Sequence, residues 1–237
     1  MILDLLAHNN WERPIYFAIT TGGDSYMNLQ DYFQLEGLAY RLIPVKGTKS
    51  DGQSGRVNTD IMYENLMNKF KWGGMQNPNI FMDENNLRMT YNFRNNFYRL
   101  ADALLKEGKK EKALMAADRA MEVMPEPTIP YNYFVLPFAE IYYKLGKTEK
   151  ANKIINRLTE IYINELKYYA SLEDKFAQTI PGDMEQSMQV VRQMMYQVMT
   201  YEQKDILEDL QAKVNTLPMG KSRTFQELKS KYFAGVN

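Results

Sequence analysis

His8 is the single histidine in a chain of 237 residues that contains no cysteine. Those two counts decide most of the chemistry. Thiolate catalysis, cysteine-rich zinc sites, haem ligation by paired histidines and any Ser-His triad built away from His8 lack their raw materials. His8 lies on a short helix-like stretch next to "NNW", where a structural or surface role fits better than catalysis. Asp24, Asp51, Asp83 and Glu84 fall in or beside loops, without the ligand spacing of a calcium loop, and paired catalytic carboxylates require a separation that spacing in sequence does not supply. "PIYFAITTGGDS" sets two glycines after an expected strand, where backbone amides can cradle phosphate. Neither the dinucleotide fingerprint nor the lysine-bearing phosphate loop is completed, so the stretch reads as a turn. No catalytic constellation emerges, and the chain is expected to be non-enzymatic, with no cofactor and no metal.

The bulk composition points the same way. Hydrophobic residues make up 45% and charged residues 24%, and 29 basic side chains balance 29 acidic ones. That is ordinary globular usage with no bias toward nucleic acid or an anionic surface, and the length can bury a core without disulfides or metal. No apolar window reaches the length of a membrane span, and "MILDLLAHNN" lacks the basic flank of a signal peptide, so the chain as given is expected to be soluble. The first apolar stripe starts without a capping residue, as it would in a piece that continues an earlier helix.

The elements that must position any site divide near residue 90. Before it the pattern is mixed: a helix near residues 2 to 8, a strand in "PIYFAIT", a short helix in "NLQDYFQLEGL" closed by Gly37, and a strand in "AYRLIPV". A flexible loop, "KGTKSDGQSG", follows, and then a helix in "NTDIMYENLMNKF" capped by Asn58 or Thr59. After residue 90 the strand signals vanish and amphipathic helices run to the end, with breaks near Gly108, "MPEPTIP", Gly146, "IPGD" and "LPMGKS". The expected fold is mainly α with a small α/β N-terminal lobe. Its expected parts are a lobe over 1–90, two helical repeats over 91–178 and a C-terminal helical extension over 179–237.

Within the helical part, "EGKKEKALMAADRAMEVMP" places small residues where two helices would cross and a proline where the second would stop. Leu100 and Ala101 precede the turn glycine Gly108, Ala113 and Ala120 follow it, Phe97 takes the large aromatic position and Pro125 ends the unit. Residues 94–127 resemble one tetratricopeptide repeat. Around Gly146, Phe138, Ala139, Tyr142, Ala151 and Leu158 fall at offsets equivalent to those of Leu100, Ala101, Leu104, Ala113 and Ala120, giving a second, looser repeat. It has no terminating proline, so its second helix runs on through Ile161, Leu166 and Phe176 almost to "IPGD". A methionine-rich stripe from Met184 through Met199 to Val214 suggests the returning arm of a long C-terminal helical hairpin, with the methionines in its core. "TFQELKSKYF" reads as a terminal helix with Thr224 as a candidate cap.

Such repeats pack through their alanines and large apolar side chains, which leaves the other side of each first helix on a concave surface where partners lie. Candidate partner-binding residues there are Asn95, Tyr98, Arg99 and Asp102, then Tyr133, Glu140, Tyr143 and Lys144. The bland alternative for each is a solvated or internally packed side chain. The fixed lysine, asparagine and arginine pattern that clamps a C-terminal carboxylate in some tetratricopeptide modules is absent.

The segments "LDLLAHNNWERPIYFA", "FQLEGLAYRLIPVK", "YENLMNKFKWGG" and "RNNFYRLADALLKEGKKEKA" resemble the C-terminal soluble region of a Bacteroidetes family of multi-pass membrane proteins of unknown function. The N-terminal membrane part of that family is similar to protein mannosyltransferases that use lipid-linked sugars. The resemblance implies a soluble region on the periplasmic side of the inner membrane, in contact with the membrane part of its own parent. It implies that Trp11, Arg13, Pro14, Tyr16, Tyr40, Arg41 and Pro44 lie beside the membrane exit, and it carries over no catalytic residue.

The expectation is therefore a non-catalytic module that binds a protein or peptide on the concave repeat surface, and not nucleic acid. The alternative is an accessory lobe that holds an acceptor or glycan for a membrane glycosyltransferase. A sugar site would show as aromatics such as Trp11 or Trp72 flanked by polar groups. A third possibility, packing against a sister subunit, would show as a stable oligomer.

Overall fold

The computed structural model describes residues 2–47 and 51–235, so the centre of the expected loop, residues 48–50, lies outside the described residues. Among the described residues the chain is mainly α-helical with a small four-stranded sheet near the N-terminus. It divides into two compact units, Met1–Pro130 and Tyr131–Asn237.

In the first unit, α1 (Ile2–Asn9) precedes β1 (Ile15–Ala18), β2 (Phe33–Leu35), β3 (Ala39–Leu42) and β4 (Arg56–Val57), arranged β1-β3-β2-β4. β1 and β2 both pair antiparallel with β3, while β4 joins β2 in parallel. One aromatic cluster fills a face of this sheet: Phe33 stacks on Tyr40 at 5.3 Å, tilts against Phe17 at 4.9 Å and receives the edge of Tyr26 at 5.1 Å. Offset and edge-to-face arrangements are those that the ring quadrupole favours.

One reading of this segment is corrected. "NLQDYFQLEGL" forms a short 3-10 turn over Gln30–Tyr32 and then β2, not a helix. Pairing on both edges of β2 buries Phe33, Gln34 and Leu35 together, and that outweighs the local helical spacing. β4, which carries no hydrophobic run, exists because Gly55 at φ +75° lets the chain pass under Tyr40, whose ring would lie 2.8 Å from an added Cβ.

α2 (Thr59–Glu64) is capped by Asn58, whose side chain accepts the Ile61 amide at 3.1 Å, and closes through a π-type turn over Asn65–Lys69. α3 (Glu84–Lys106) begins earlier than the composition shift suggests because Asp83 caps it, accepting the Asn86 amide at 2.8 Å. α4 (Lys110–Val123) packs on α3. The fully buried Arg94 ties the proline-rich joint to α3, donating to the carbonyls of Met124 at 3.1 Å, Ile129 at 2.5 Å and Pro130 at 2.8 Å.

The boundary between the two compact units falls at Pro130. α3 is fastened to the lobe: Asn96 donates to the Gly37 carbonyl at 2.7 Å, Thr59 donates to Glu107 at 2.8 Å, and Lys109 pairs with Asp60 at 3.1 Å.

In the second unit α5 (Leu136–Lys144) pairs with α6 (Thr148–Ser171). The short α7 (Asp174–Ala177) leads to α8 (Pro181–Thr200), α9 (Lys204–Asn215) and α10 (Arg223–Phe233). α8 packs on α6, α9 and α10. The methionine stripe is core as expected along α8, where Met184, Met188 and Met194 have no exposed surface, but Met199 is exposed. Three further readings change. α6 stops at Ser171 and leaves Phe176 exposed, the second stripe is broken into α8 and α9 at Glu202, and Ser222 rather than Thr224 caps α10.

Candidate functional site

The helix pairs share one turn. Lys109 N–H donates to the Leu104 carbonyl at 2.9 Å and Gly108 N–H to Leu105 at 2.9 Å; Lys147 and Gly146 repeat this on Tyr142 and Tyr143 at 2.8 and 2.9 Å. This is the paired 6→1 and 5→2 pattern of a Schellman motif, with the glycine in left-handed conformation. The flanking positions Leu100, Ala101, Leu104, Ala113 and Ala120 are completely buried, and their counterparts Phe138, Ala139, Tyr142, Ala151 and Leu158 are at most 2% exposed. Sequence reading missed a third instance. Gln203 donates to Val198 at 2.8 Å and Glu202 to Met199 at 3.1 Å, with Glu202 at φ +56° in the glycine position. Met194, Met195, Val198, Leu207 and Val214 hold the equivalent packing places, with larger side chains where the other pairs have alanine.

The expected concave faces are where the chain covers itself. On α3, Arg99 is 2% exposed and grips the segment after β3, its Nε donating to Asp51 at 2.7 Å and Nη2 to the Gly55 carbonyl at 2.6 Å. Asn95 exchanges amide hydrogen bonds with Gln53, the shorter at 2.8 Å. Asp102 is buried and pairs with Lys106 at 2.7 Å, and Tyr98 is half-buried.

On α5 the occupant is the α8–α9 turn. Tyr143 is stacked at 4.6 Å on Tyr201, and its hydroxyl donates to Asn152 at 2.6 Å, which in turn donates to Gln203 at 3.0 Å. Burial pushes the Tyr143 hydroxyl up to about 12. Glu140 and Lys144 pair with each other at 2.8 Å on the helix surface, and Tyr133 lies half-exposed against Phe134. Asn95, Arg99 and Tyr143 thus hold segments of their own chain in place, which is the structural role that competed with partner binding for each.

Open apolar surface lies instead on the first unit, in the loop between the π-type turn and α3. A cavity of about 530 Å3 is lined by Leu38, Phe70, Trp72, Met75, Met82 and Phe93, with Lys69 and Lys71 also on its wall. Trp72 is braced by Phe97 at 5.1 Å and by the edge of Phe93 at 6.1 Å, and its indole N–H is buried with no hydrogen-bond partner among the described residues. Next to Met82, Phe81 is 89% exposed. Neither lysine forms an ion pair among the described residues.

Leu38 and Phe70 also line an adjoining cavity of about 260 Å3 whose other end is polar. There the buried Glu36 carboxylate accepts Tyr16 at 2.9 Å and Gln34 at 2.7 Å and lies 3.6 Å from Arg41. Burial and the hydrogen bond to Glu36 raise the Tyr16 hydroxyl above its ordinary range. The signal for these cavities was present in "KWGGMQNPNIFMD", a loop rich in turn residues that nevertheless carries Trp72, Ile80 and Phe81. Among the described residues no group of three His, Cys, Asp or Glu side chains is placed to hold a metal ion.

A family model described as TMEM260-associated domain 2 matches residues 1–61, which take in the whole sheet and the start of α2. Over this segment the chain is similar to a domain associated with a membrane-protein family. No curated protein and no solved structure matches the chain. Among the described residues no helix is long and apolar enough to cross a membrane. Tyr16, Glu36, Leu38 and Arg41 lie inside the matched segment; Phe70, Trp72, Phe81 and the lysines lie beyond it.

Proposed function

We propose that this chain is a non-catalytic module for binding a protein or peptide, the soluble C-terminal part of a larger membrane protein, with its helix pairs of tetratricopeptide type. On this reading it lies on the periplasmic side of the inner membrane, next to the membrane part of its parent. The observation that carries the binding reading is the aromatic cavity of the first unit with Phe81 standing in solvent beside it. A large, fully exposed aromatic next to an aromatic-lined hollow has the makeup of an interface anchor, since such side chains dominate binding energy when desolvated. The repeat assignment is supported by the shared Schellman turns and the buried small residues around them. The partner surface moves, on this reading, from the inner helix faces to the lobe.

A second reading has its own support. The adjoining cavity sets Tyr16, Asn65 and the buried Glu36 carboxylate, which lies 3.6 Å from Arg41, beside the Phe70 ring, a combination that would suit a hydroxyl-rich acceptor or glycan held for a membrane glycosyltransferase. One experiment separates the two: partner capture by the whole chain alongside a glycan array, each repeated with Phe81→Asp, Tyr98→Ala and Tyr16→Phe. Protein capture lost with Phe81→Asp and kept with Tyr98→Ala is the expected result. Glycan binding lost with Tyr16→Phe, without protein capture, would replace the first reading by the second.

A further inference from the structure

The surface around the aromatic cavity carries a projection as well as a hollow. Phe81 is 89% exposed, while its neighbour Met82 is built into the cavity wall. The residues that follow are acidic, Asp83 and Glu84, and the cations at the hollow, Lys69 and Lys71, have no ion pair among the described residues. Projection and hollow thus belong to one patch of one unit, and each carries what the other lacks in both shape and charge.

We propose that this patch is self-complementary and that its partner is a second copy of the chain, Phe81 of each copy filling the aromatic cavity of the other about a two-fold axis. This rests on reading the patch as an interaction surface and names what occupies it. A two-fold interface places the same surface on both sides, so a patch containing its own projection and its own hollow makes every contact twice. An inserted aromatic side chain buries roughly 150–250 Å2, and a volume of about 530 Å3 has room for it. The same exchange carries Asp83 and Glu84 of one copy to the lysines of the other, which fixes the orientation of docking. Little is given up for this. Glu84 pairs with Arg88 on an exposed helix surface, where solvent leaves such a pair little to lose, and Asp83 keeps its capping bond to Asn86.

The test is sedimentation of the whole chain across a wide concentration series. The expected behaviour is a reversible monomer–dimer equilibrium, weakened about tenfold or more by Phe81→Asp, with the melting temperature unchanged at concentrations where the chain is monomeric, because that exposed side chain makes no core contact to lose. Lys69→Glu with Lys71→Glu should weaken the dimer as well, and adding Glu84→Lys to that pair should restore it. A chain that stays monomeric throughout, or a dimer indifferent to Phe81→Asp, overturns the inference. A monomeric chain that still captures another protein through Phe81 overturns the second copy while leaving the binding reading intact.

Discussion

Arg99 shows how a residue chosen for binding becomes one of structure. Its guanidinium is 2% exposed and spans Asp51 and the Gly55 carbonyl, so it holds down the segment that feeds β4. Replacing it with methionine should cost roughly 3–5 kcal/mol, the loss expected when one member of a buried pair is removed and the other charge is stranded. Lysine should not rescue, since one ammonium does not reproduce the fork that reaches both acceptors. Urea unfolding of the two variants measures this; a loss below about 1 kcal/mol would mean the pair is held as loosely as a surface one.

Glu165 offers a residue-scale prediction of opposite sign. It is half-buried and accepts the Ser187 hydroxyl at 2.9 Å, and burial raises its pKa despite that bond. A raised carboxyl pKa means the ionised form is penalised in the folded state, so this site disfavours folding at neutral pH and ceases to do so as the pH falls below its unfolded value. Glu165→Gln keeps an acceptor for Ser187 without the charge. Its melting temperature should exceed that of the parent at neutral pH, and the gap should close on acidification. A gap that is constant with pH would remove the titration from the explanation.

At the scale of elements, what could be foreseen depended on whether the cause was local. The turns at Gly108 and Gly146 were legible because glycine announces left-handed backbone, and Asn58 was legible as a cap because capping needs only three residues. β2 and β4 were not, because their reason for existing is a pairing partner elsewhere in the chain. The third turn was hidden by Glu202, which adopts the left-handed conformation without the residue type that signals it. Glu202→Gly should therefore stabilise the chain by about 0.5–1 kcal/mol, and Gly108→Ala or Gly146→Ala should cost about 1–2 kcal/mol through backbone strain alone. Strain is the whole cost because an added Cβ at either glycine meets nothing within 4 Å. Thermal denaturation that ranks Glu202→Gly below the parent would show that its side chain contributes more than its backbone costs.

At the scale of the whole chain, two compact units each spend their helix faces on their own segments, Asp51–Gly55 in the first and the α8–α9 turn in the second. Spacing alone located those faces but not what lies on them, since coverage by a distant segment leaves no mark on the covered helix. The central claim is the proposal that association uses the aromatic patch of the first unit. Photo-crosslinking in cells tests it most directly, with a benzophenone side chain placed at position 81 of the whole chain in one sample and at position 98 in another. Adducts from position 81 that disappear on Lys71→Glu, with none from position 98, are the expected result. Adducts from position 98 alone would contradict it and return the binding surface to the inner face of α3.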